Sequence, residues 1–279
     1  MKKILLFILA FCSQAYASQF LSIISDVDDT IKMTALKASK NHTLRYGPGS
    51  APFYGLSDLY TYFLCHGVPQ KNVCVSARGN DETLRGMIYV TAAPPLVHRL
   101  ALRFLKKNSF PSRKNLVHKP KLRLSTYEYK KKVISDIVSY YPNKPYILIG
   151  DNGEYDSKAY RDIKERFPKQ IQGIFIHYVY PTNGTHHKIE DGQLPYLTVV
   201  DLAIHFLNQS FISVQDFEVL LANSLKDLNR NNTHVVRDWM SCRDFFKKNY
   251  FPEISQRYKA LDSEISVFKD KLLAHHRCQ

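Results

Sequence analysis

Two aspartates separated by one residue, Asp26 and Asp28, follow a short apolar segment with the composition of a buried strand. Successive side chains alternate in direction along an extended backbone, so we expect the two carboxylates to point the same way and to share one small site. With a hard metal ion neutralising the pair, one carboxylate can attack an electrophile while the other handles a proton. The same pattern also occurs in acidic turns and at helix N-caps, so it indicates catalysis only together with other residues.

A second acidic site follows another apolar segment, Tyr146 to Gly150, where Asp151 and Asp156 stand five residues apart across a turn that contains Gly153. This arrangement can complete a magnesium site, and the alternative is a polar turn in which Asp156 caps a helix. An EF-hand calcium loop starting at Asp26 is excluded, because its sixth and twelfth positions require Gly and Glu and hold other residues here.

Apolar segments typical of strands alternate with segments of helical periodicity as far as residue 208. This alternation predicts an α/β fold, a Rossmann-like, doubly wound and mainly parallel sheet followed by a C-terminal helical extension. Such sheets bind ligands at the carboxyl ends of their strands, where Asp26, Thr91 and Asp151 are expected. The predicted strands cover 20–25, 86–91, 115–118, 146–151 and 173–178, and the predicted helices cover 56–65, 96–107, 127–140, 156–166 and 197–207.

The chain divides into three predicted parts. Residues 1–17 have a positive start, a short apolar core and a small-x-small cleavage pattern, which predicts a secretory signal peptide. Residues 18–208 form the predicted catalytic domain, with a polar insert or lid at about 33–85. Residues 209–279 form the helical extension, whose last helix has an apolar seam that we expect to pack in the core. The seam consists of Tyr258, Leu261, Ile265, Phe268 and Leu272.

The chain has 279 residues and a formal net charge of +14, which favours anionic partners such as phosphate esters, anionic lipid surfaces or nucleic acid. No aromatic and basic module for nucleic acid is recognisable, and no segment after the signal peptide is long enough to span a membrane. Four cysteines remain after the signal peptide, and three disulfide pairings are open. We favour Cys65 with Cys74 and Cys242 with Cys278, because each pair falls within one structural unit.

Four segments together resemble the haloacid dehalogenase superfamily of phosphatases. Asp26-Val27-Asp28-Asp29-Thr30 is similar to its first motif, Thr91 after a strand to its second, Lys130 at the start of a helix to its third, and Gly150-Asp151 with Asp156 to its fourth. More narrowly, residues 20 to 208 resemble the actin-patch-protein type of phosphatidate phosphatase catalytic domain. This sequence differs from that type in three places, where it has Thr91-Ala92-Ala93-Pro94, Tyr129 and Asn152.

The resemblance implies a role for each matching residue. Asp26 would be the nucleophile, and Asp28 would protonate the leaving alcohol and then activate water. Mg²⁺ would be held by Asp26, the backbone carbonyl of Asp28, Asp151 and Asp156. Thr91 and Lys130 would contact the phosphoryl oxygens, and Lys130 is preferred to Lys131 and Lys132 because it stands at the expected register.

The resulting hypothesis is an exported magnesium-dependent phosphatase, periplasmic or secreted, that acts on phosphatidate or a related lipid phosphate at a lipid surface. The same chemistry on a soluble phosphomonoester or phosphoprotein is one alternative, and a non-catalytic secreted binding protein is another. The sequence leaves the oligomeric state open. We expect Asp29 and Thr30 to stabilise the turn, the loop Lys119 to Arg123 to be solvated, and the histidine pairs at 186–187 and 275–276 to be exposed.

Overall fold

The computed structural model describes most of the chain after residue 20. The predicted signal peptide, residues 36–50, 69 and 77–85 of the predicted lid, the loop residues Lys121 and Arg123, and His186, His187 and His276 lie outside the described residues. The described residues are 21–35, 51–68, 70–76, 86–94, 97–112, 115–119, 124–182, 188–230, 235–237, 240–275 and 278.

Within this described part, six strands form one sheet in the order β3-β2-β1-β4-β5-β6, and every pair of neighbouring strands is parallel. The strands β1 and β4 lie at the centre of the sheet and are buried throughout, as expected for strands covered on both faces. The strands are β1 Ser22–Asp26, β2 Gly86–Thr91, β3 Leu116–His118, β4 Tyr146–Asp151, β5 Ile171–His177 and β6 Leu194–Tyr196.

Helices cover both faces of the sheet, so the predicted doubly wound α/β fold is confirmed. The described α-helices are α1 Leu56–Cys65, α2 Lys71–Ser76, α3 His98–Lys107, α4 Thr126–Tyr140, α5 Asp156–Arg166, α6 Val199–Asn208, α7 Val214–Asn229, α8 Cys242–Lys247 and α9 Asp262–Ala274. Helices α4 and α5 pack on one face, while α1, α3, α6 and the C-terminal helices pack on the other. Among the described residues, no helix has the length and apolar character needed to cross a bilayer.

The predicted insert contains a core helix. The buried side chains of α1, such as Leu59 and Phe63, belong to the same hydrophobic cluster as Ile23 of β1. Two elements were not predicted from the sequence: α2, which is only six residues long, and β6, a three-residue strand that contains Pro195. Short elements of this kind carry too few residues to show a period.

The C-terminal seam packs in the core as expected: Leu261, Ile265, Phe268 and Leu272 are buried in the larger hydrophobic cluster. The seam is not one continuous helix, however. Tyr258 has non-helical backbone angles within a 3-10 segment at Gln256–Leu261, and α9 begins only at Asp262.

Both favoured disulfides are present. Cys65 bonds to Cys74 and joins α1 to α2, and Cys242 bonds to Cys278 and joins α8 to the residues after α9. Two expectations of exposure were wrong, because His275 and Lys119 are both buried.

Candidate active site

The carboxyl ends of three adjacent strands bring the predicted acidic and hydroxyl side chains together. Asp26 ends β1, Thr91 ends β2 and Asp151 ends β4, and β1 lies between the other two strands. The parallel register aligns Asp26 with Val90 of β2, so these strand ends are level with one another. Neighbouring strands are about 4.8 Å apart, so residues at adjacent strand ends lie within reach of a single phosphate group.

A turn after β1 is fixed by Asp29, which has a left-handed backbone with a φ of 56°. Its carboxylate accepts hydrogen bonds from the Thr34 amide at 2.8 Å and the Ala35 amide at 2.6 Å. It also accepts one from the Tyr180 hydroxyl at 2.6 Å. Asp29 is therefore a structural residue, as its place in the sequence predicted.

Three buried carboxylates form the centre of the site. Asp26, Asp151 and Asp156 each offer an oxygen, and these oxygens all lie within 4.8 Å of one another. The Thr30 hydroxyl lies 3.2 Å from Asp26 and 3.4 Å from Asp151, and a hydroxyl has a single hydrogen to donate. The Gly153 amide donates to Asp151 at 2.5 Å and the Asp151 amide donates to Asp156 at 3.2 Å, but none of these donors carries a charge that would balance the carboxylates.

Lys130 lies inside this cluster. Its ammonium is 2.8 Å from an Asp26 oxygen and also forms an ion pair with Asp156, and its side chain is only 2% exposed. The neighbouring lysines face elsewhere, Lys131 towards Asp162 and Lys132 towards Asp136 at the surface. The structure thus brings Lys130, and neither of its neighbours, to the acids.

Burial and mutual electrostatic interaction shift the pKa values of these charged side chains strongly. Burial raises the pKa of the Asp26 carboxyl well above its usual range; Lys130 opposes this shift, and Asp156 adds to it. Burial followed by the negative charge of Asp156 likewise raises the pKa of Asp151. Burial alone would lower the pKa of Lys130, but Asp156 and Asp26 outweigh it and hold that pKa well above its usual value. The ammonium therefore stays charged at neutral pH.

The donor set fits a hard divalent cation. Three buried carboxylates share one ammonium, which leaves two negative charges uncompensated when all are ionised. Carboxylate oxygens are the ligands that Mg²⁺ and similar ions prefer, and a buried excess charge is costly unless it is paired or binds a metal.

Asp28 faces a different set of partners. β1 ends at Asp26, so strand alternation does not extend to Asp28, and its side chain lies outside the three-carboxylate cluster. Thr91 donates to one Asp28 oxygen at 3.2 Å, and the Lys32 ammonium is 3.5 Å from the other. The Asp28 side chain is 21% exposed, whereas those of Asp26 and Asp156 are 3% and 0% exposed. Asp28 therefore stands at the solvent side of the site.

Two glycines permit the loop between β4 and α5. A Cβ at Gly150 would lie 2.5 Å from an Asp156 oxygen, and a Cβ at Gly153 would lie 2.8 Å from an Asp151 oxygen. The Asp156 carboxylate accepts a hydrogen bond from the Asp151 amide at 3.2 Å, which closes the loop over the end of the strand. The glycines are therefore needed for close approach rather than for an unusual φ.

Asn152 was noticed in the sequence only as a departure from the family pattern, yet it joins two parts of the site. Its side-chain oxygen accepts from the amides of Val179 and Tyr180, each at 3.0 Å, and its amide donates to the Tyr180 carbonyl at 2.6 Å. Since the Tyr180 hydroxyl donates to Asp29, Asn152 links the loop after β4 to the turn after β1. No local sequence pattern identifies Tyr180 as a partner of Asp29, because the two residues are 151 positions apart in the chain.

Comparisons with known proteins identify the family of this chain. The family model described as "Phosphatidate phosphatase APP1, catalytic domain" matches residues 21–178. Phosphatidate phosphatase APP1 of Saccharomyces cerevisiae (strain ATCC 204508 / S288c) is 27% identical over 168 residues, which cover 58% of this chain and 26% of the yeast protein. The chain thus spans about a quarter of the length of that relative.

Two solved structures of the class C acid phosphatase from Bacillus anthracis also align. The tungstate-bound form has a TM-score of 0.33 and 12% identity, and the other has a TM-score of 0.34 and 11% identity. Each alignment covers 55% of this chain and 65% of the acid phosphatase.

The parallel sheet with aspartates at the ends of its two central strands is the arrangement expected of a phosphatase of the haloacid dehalogenase type. Because the family model covers more than half of the sequence, the chain belongs to the family of the phosphatidate phosphatase APP1 catalytic domain.

Proposed function

We propose that this protein is an exported, magnesium-dependent phosphatase that hydrolyses a phosphomonoester, phosphatidate or a related lipid phosphate, through a phosphorylated Asp26. The observation that carries the proposal is that the two aspartates of the first motif, Asp26 and Asp28, lie in different surroundings. Asp26 lies buried beside Lys130, Asp151 and Asp156, while Asp28 stands two residues away at the solvent side. One acid is thus placed to attack phosphorus, and a different acid is placed to exchange protons.

In the first half of the reaction, a carboxylate oxygen of Asp26 attacks phosphorus and the bond from phosphorus to the ester oxygen breaks. Asp28, protonated at that moment, gives its proton to the departing oxygen, so the alcohol leaves neutral. Thr91 ends the neighbouring strand, and its hydroxyl donates its one hydrogen to Asp28 at 3.2 Å; with substrate bound, the same hydrogen can be donated to a phosphoryl oxygen instead.

In the second half, Asp28 is a carboxylate and takes a proton from a water molecule that attacks the phosphorus of the aspartyl-phosphate. The bond to Asp26 then breaks, which releases inorganic phosphate and restores both acids to their starting states. Lys130 is 2.8 Å from Asp26, and its positive charge offsets the charge on the phosphoryl oxygens in both halves.

The residues that would hold Mg²⁺ are Asp26, Asp151 and Asp156, together with the backbone carbonyl of Asp28. When bound, the ion supplies positive charge that lets an anionic carboxylate approach an anionic phosphate. Asp156 also pairs with Lys130, so its carboxylate has the further task of orienting the ammonium.

The lipid substrate and the export of the protein rest on different grounds. The family supports phosphatidate as the substrate, since it is described by that activity. The apolar N-terminal segment supports export, and two disulfides are typical of proteins in oxidising compartments.

Phosphate release from protein lacking residues 1–17 tests the proposal, with phosphatidate, lysophosphatidate and an aryl phosphate as substrates and with or without magnesium. We expect the lipids to be hydrolysed only with the metal. Hydrolysis of the aryl ester alone would reject the lipid substrate and retain the chemistry. No release from any of the three by folded protein would reject the function.

A further inference from the structure

Lys32 lies at the solvent side of the site and has no part in the roles proposed above. Its ammonium is 3.5 Å from an Asp28 oxygen, and its side chain is 12% exposed. A distance of 3.5 Å exceeds that of a good N–H···O hydrogen bond, so the ion pair is loose and the ammonium keeps the capacity to contact another anion. In the described part of the chain, the acids of the site form ion pairs with two lysines, Lys130 within the cluster and Lys32 outside it.

The backbone fixes the direction of this side chain. The chain turns back after β1, with the Lys32 amide donating to the Val27 carbonyl at 3.0 Å and the Asp29 amide donating to the Lys32 carbonyl at 2.8 Å. Ile31 and Met33, on either side of Lys32, are fully buried. With both of its neighbours buried, Lys32 directs its side chain away from the core, and its ammonium lies beside Asp28.

A second strand-like segment holds Lys32 from the other side. The Met33 amide donates to the Ala51 carbonyl at 3.1 Å and the Phe53 amide donates to the Ile31 carbonyl at 3.0 Å, which pairs Lys32 with Pro52. The Lys32 ammonium also lies 6.0 Å from the centre of the Phe104 ring, at the outer limit of a cation–π contact. The lysine is therefore positioned by its surroundings and is not a freely moving surface side chain.

The site has an excess of negative charge that a further cation such as Lys32 can reduce. Asp26, Asp28, Asp151 and Asp156 carry four negative charges when ionised, and Lys130 with a divalent metal ion supplies three positive ones. A phosphomonoester brings up to two more negative charges, and Asp28 is the most exposed of these four acids. A cation at that point reduces the repulsion which the substrate meets on entry.

We propose that Lys32 is a substrate-binding residue that contacts the phosphoryl group as it enters, exchanging its loose pairing with Asp28 for a charge-assisted hydrogen bond to a phosphoryl oxygen. This inference rests on the proposed function and assigns its site a second phosphate-binding lysine. Lys130 acts on the inner side of Asp26, and Lys32 acts on the outer side of Asp28.

Steady-state kinetics with a soluble aryl phosphate test the proposal in Lys32→Met, Lys32→Arg and the control Lys131→Met. Loss of one charge-assisted hydrogen bond corresponds to at least about a tenfold change in binding, so we expect Lys32→Met to raise KM about tenfold and to change kcat much less. Lys32→Arg should recover most of the loss. Lys131 pairs with Asp162 away from the site, so Lys131→Met should behave as the wild type.

A second measurement separates this inference from the proposed reaction, because it needs no turnover. The apparent Kd of inorganic phosphate, measured from thermal protection in the presence of magnesium, should rise about tenfold in Lys32→Met for the same loss of one hydrogen bond and stay unchanged in Lys131→Met. An active enzyme whose KM and phosphate Kd are the same in Lys32→Met as in the wild type would overturn the inference and leave the phosphatase function standing. A protein that hydrolyses no ester but binds phosphate more weakly in Lys32→Met would leave the inference standing and reject the reaction.

Discussion

Replacement of Lys130 by methionine should destabilise the protein far more than the same change at Lys132. Both lysines lie on α4 and both pair with an aspartate at short range, 2.8 Å from Asp26 for Lys130 and 2.6 Å from Asp136 for Lys132. They differ in burial, since the Lys130 side chain is 2% exposed and the Lys132 side chain is 65% exposed.

The difference in burial determines how much stability each substitution is expected to remove. Removing one partner of a buried ion pair costs about 3–5 kcal/mol because it leaves an uncompensated buried charge. Removing one partner of an exposed pair costs about 0–1 kcal/mol. A domain has roughly 5–15 kcal/mol of stability in total, so Lys130→Met should lose a large part of it.

Urea unfolding followed by circular dichroism in metal-free buffer measures these free energies. The double variant Lys130→Met, Asp156→Asn removes one of the carboxylates that lost its partner, so we expect it to be more stable than Lys130→Met alone. If Lys130→Met lost no more stability than Lys132→Met, the assignment of Lys130 as the buried counter-ion of the acid cluster would be refuted.

Three further predictions follow from single contacts. Asn152→Ser should lower kcat about tenfold or more with little change in KM. The shorter side chain loses the hydrogen bonds to Val179 and Tyr180 that align the two loops, and each is worth about 1 kcal/mol. An unchanged kcat would contradict this prediction. Gly150→Ala should bind the metal more weakly than the wild type in calorimetry, because the alanine Cβ would lie 2.5 Å from an Asp156 oxygen. Wild-type affinity would contradict this prediction and show that the loop can relax. Burial lowers the pKa of His177 to about 4, so the unfolded chain takes up a proton before the folded one, and stability should fall by about 3 kcal/mol from pH 7 to pH 4. This part of the pH dependence should disappear in His177→Gln, and a slope identical to that of the wild type would contradict the assignment.

The parts of the fold that could be predicted from sequence are those specified by local patterns. The strands β1 and β4 are continuous apolar segments because a parallel sheet buries both of their faces. Parallel strands have their carboxyl ends at one edge, so the proximity of Asp26, Thr91 and Asp151 could be predicted from the ends of the strands alone. The strand β6 could not be predicted in this way, because its three residues pair with β5 through tertiary contacts and carry no period of their own.

The details of the site were predicted less completely because they depend on contacts between distant residues. Strand alternation suggested that Asp28 shares the direction of Asp26, but β1 ends at Asp26 and the following turn gives Asp28 other partners. The sequence offered three consecutive lysines, and a register argument chose Lys130, whereas burial beside the acids is what distinguishes it from its neighbours.

The measurement that tests the central claim most directly is detection of the phosphate on Asp26. Protein would be mixed with substrate and magnesium, quenched in acid and reduced with borohydride, which converts an aspartyl-phosphate to homoserine, and the modified residue would be located by peptide mass spectrometry. With an aryl phosphate as substrate, the leaving group departs without the proton that Asp28 gives to an alcohol, so Asp28→Asn can still form the aspartyl-phosphate. The group that activates water is missing in this variant, so we expect the modification to accumulate at Asp26. Turnover by the wild type with no modification at Asp26 in either protein, or modification at a different residue, would contradict the account.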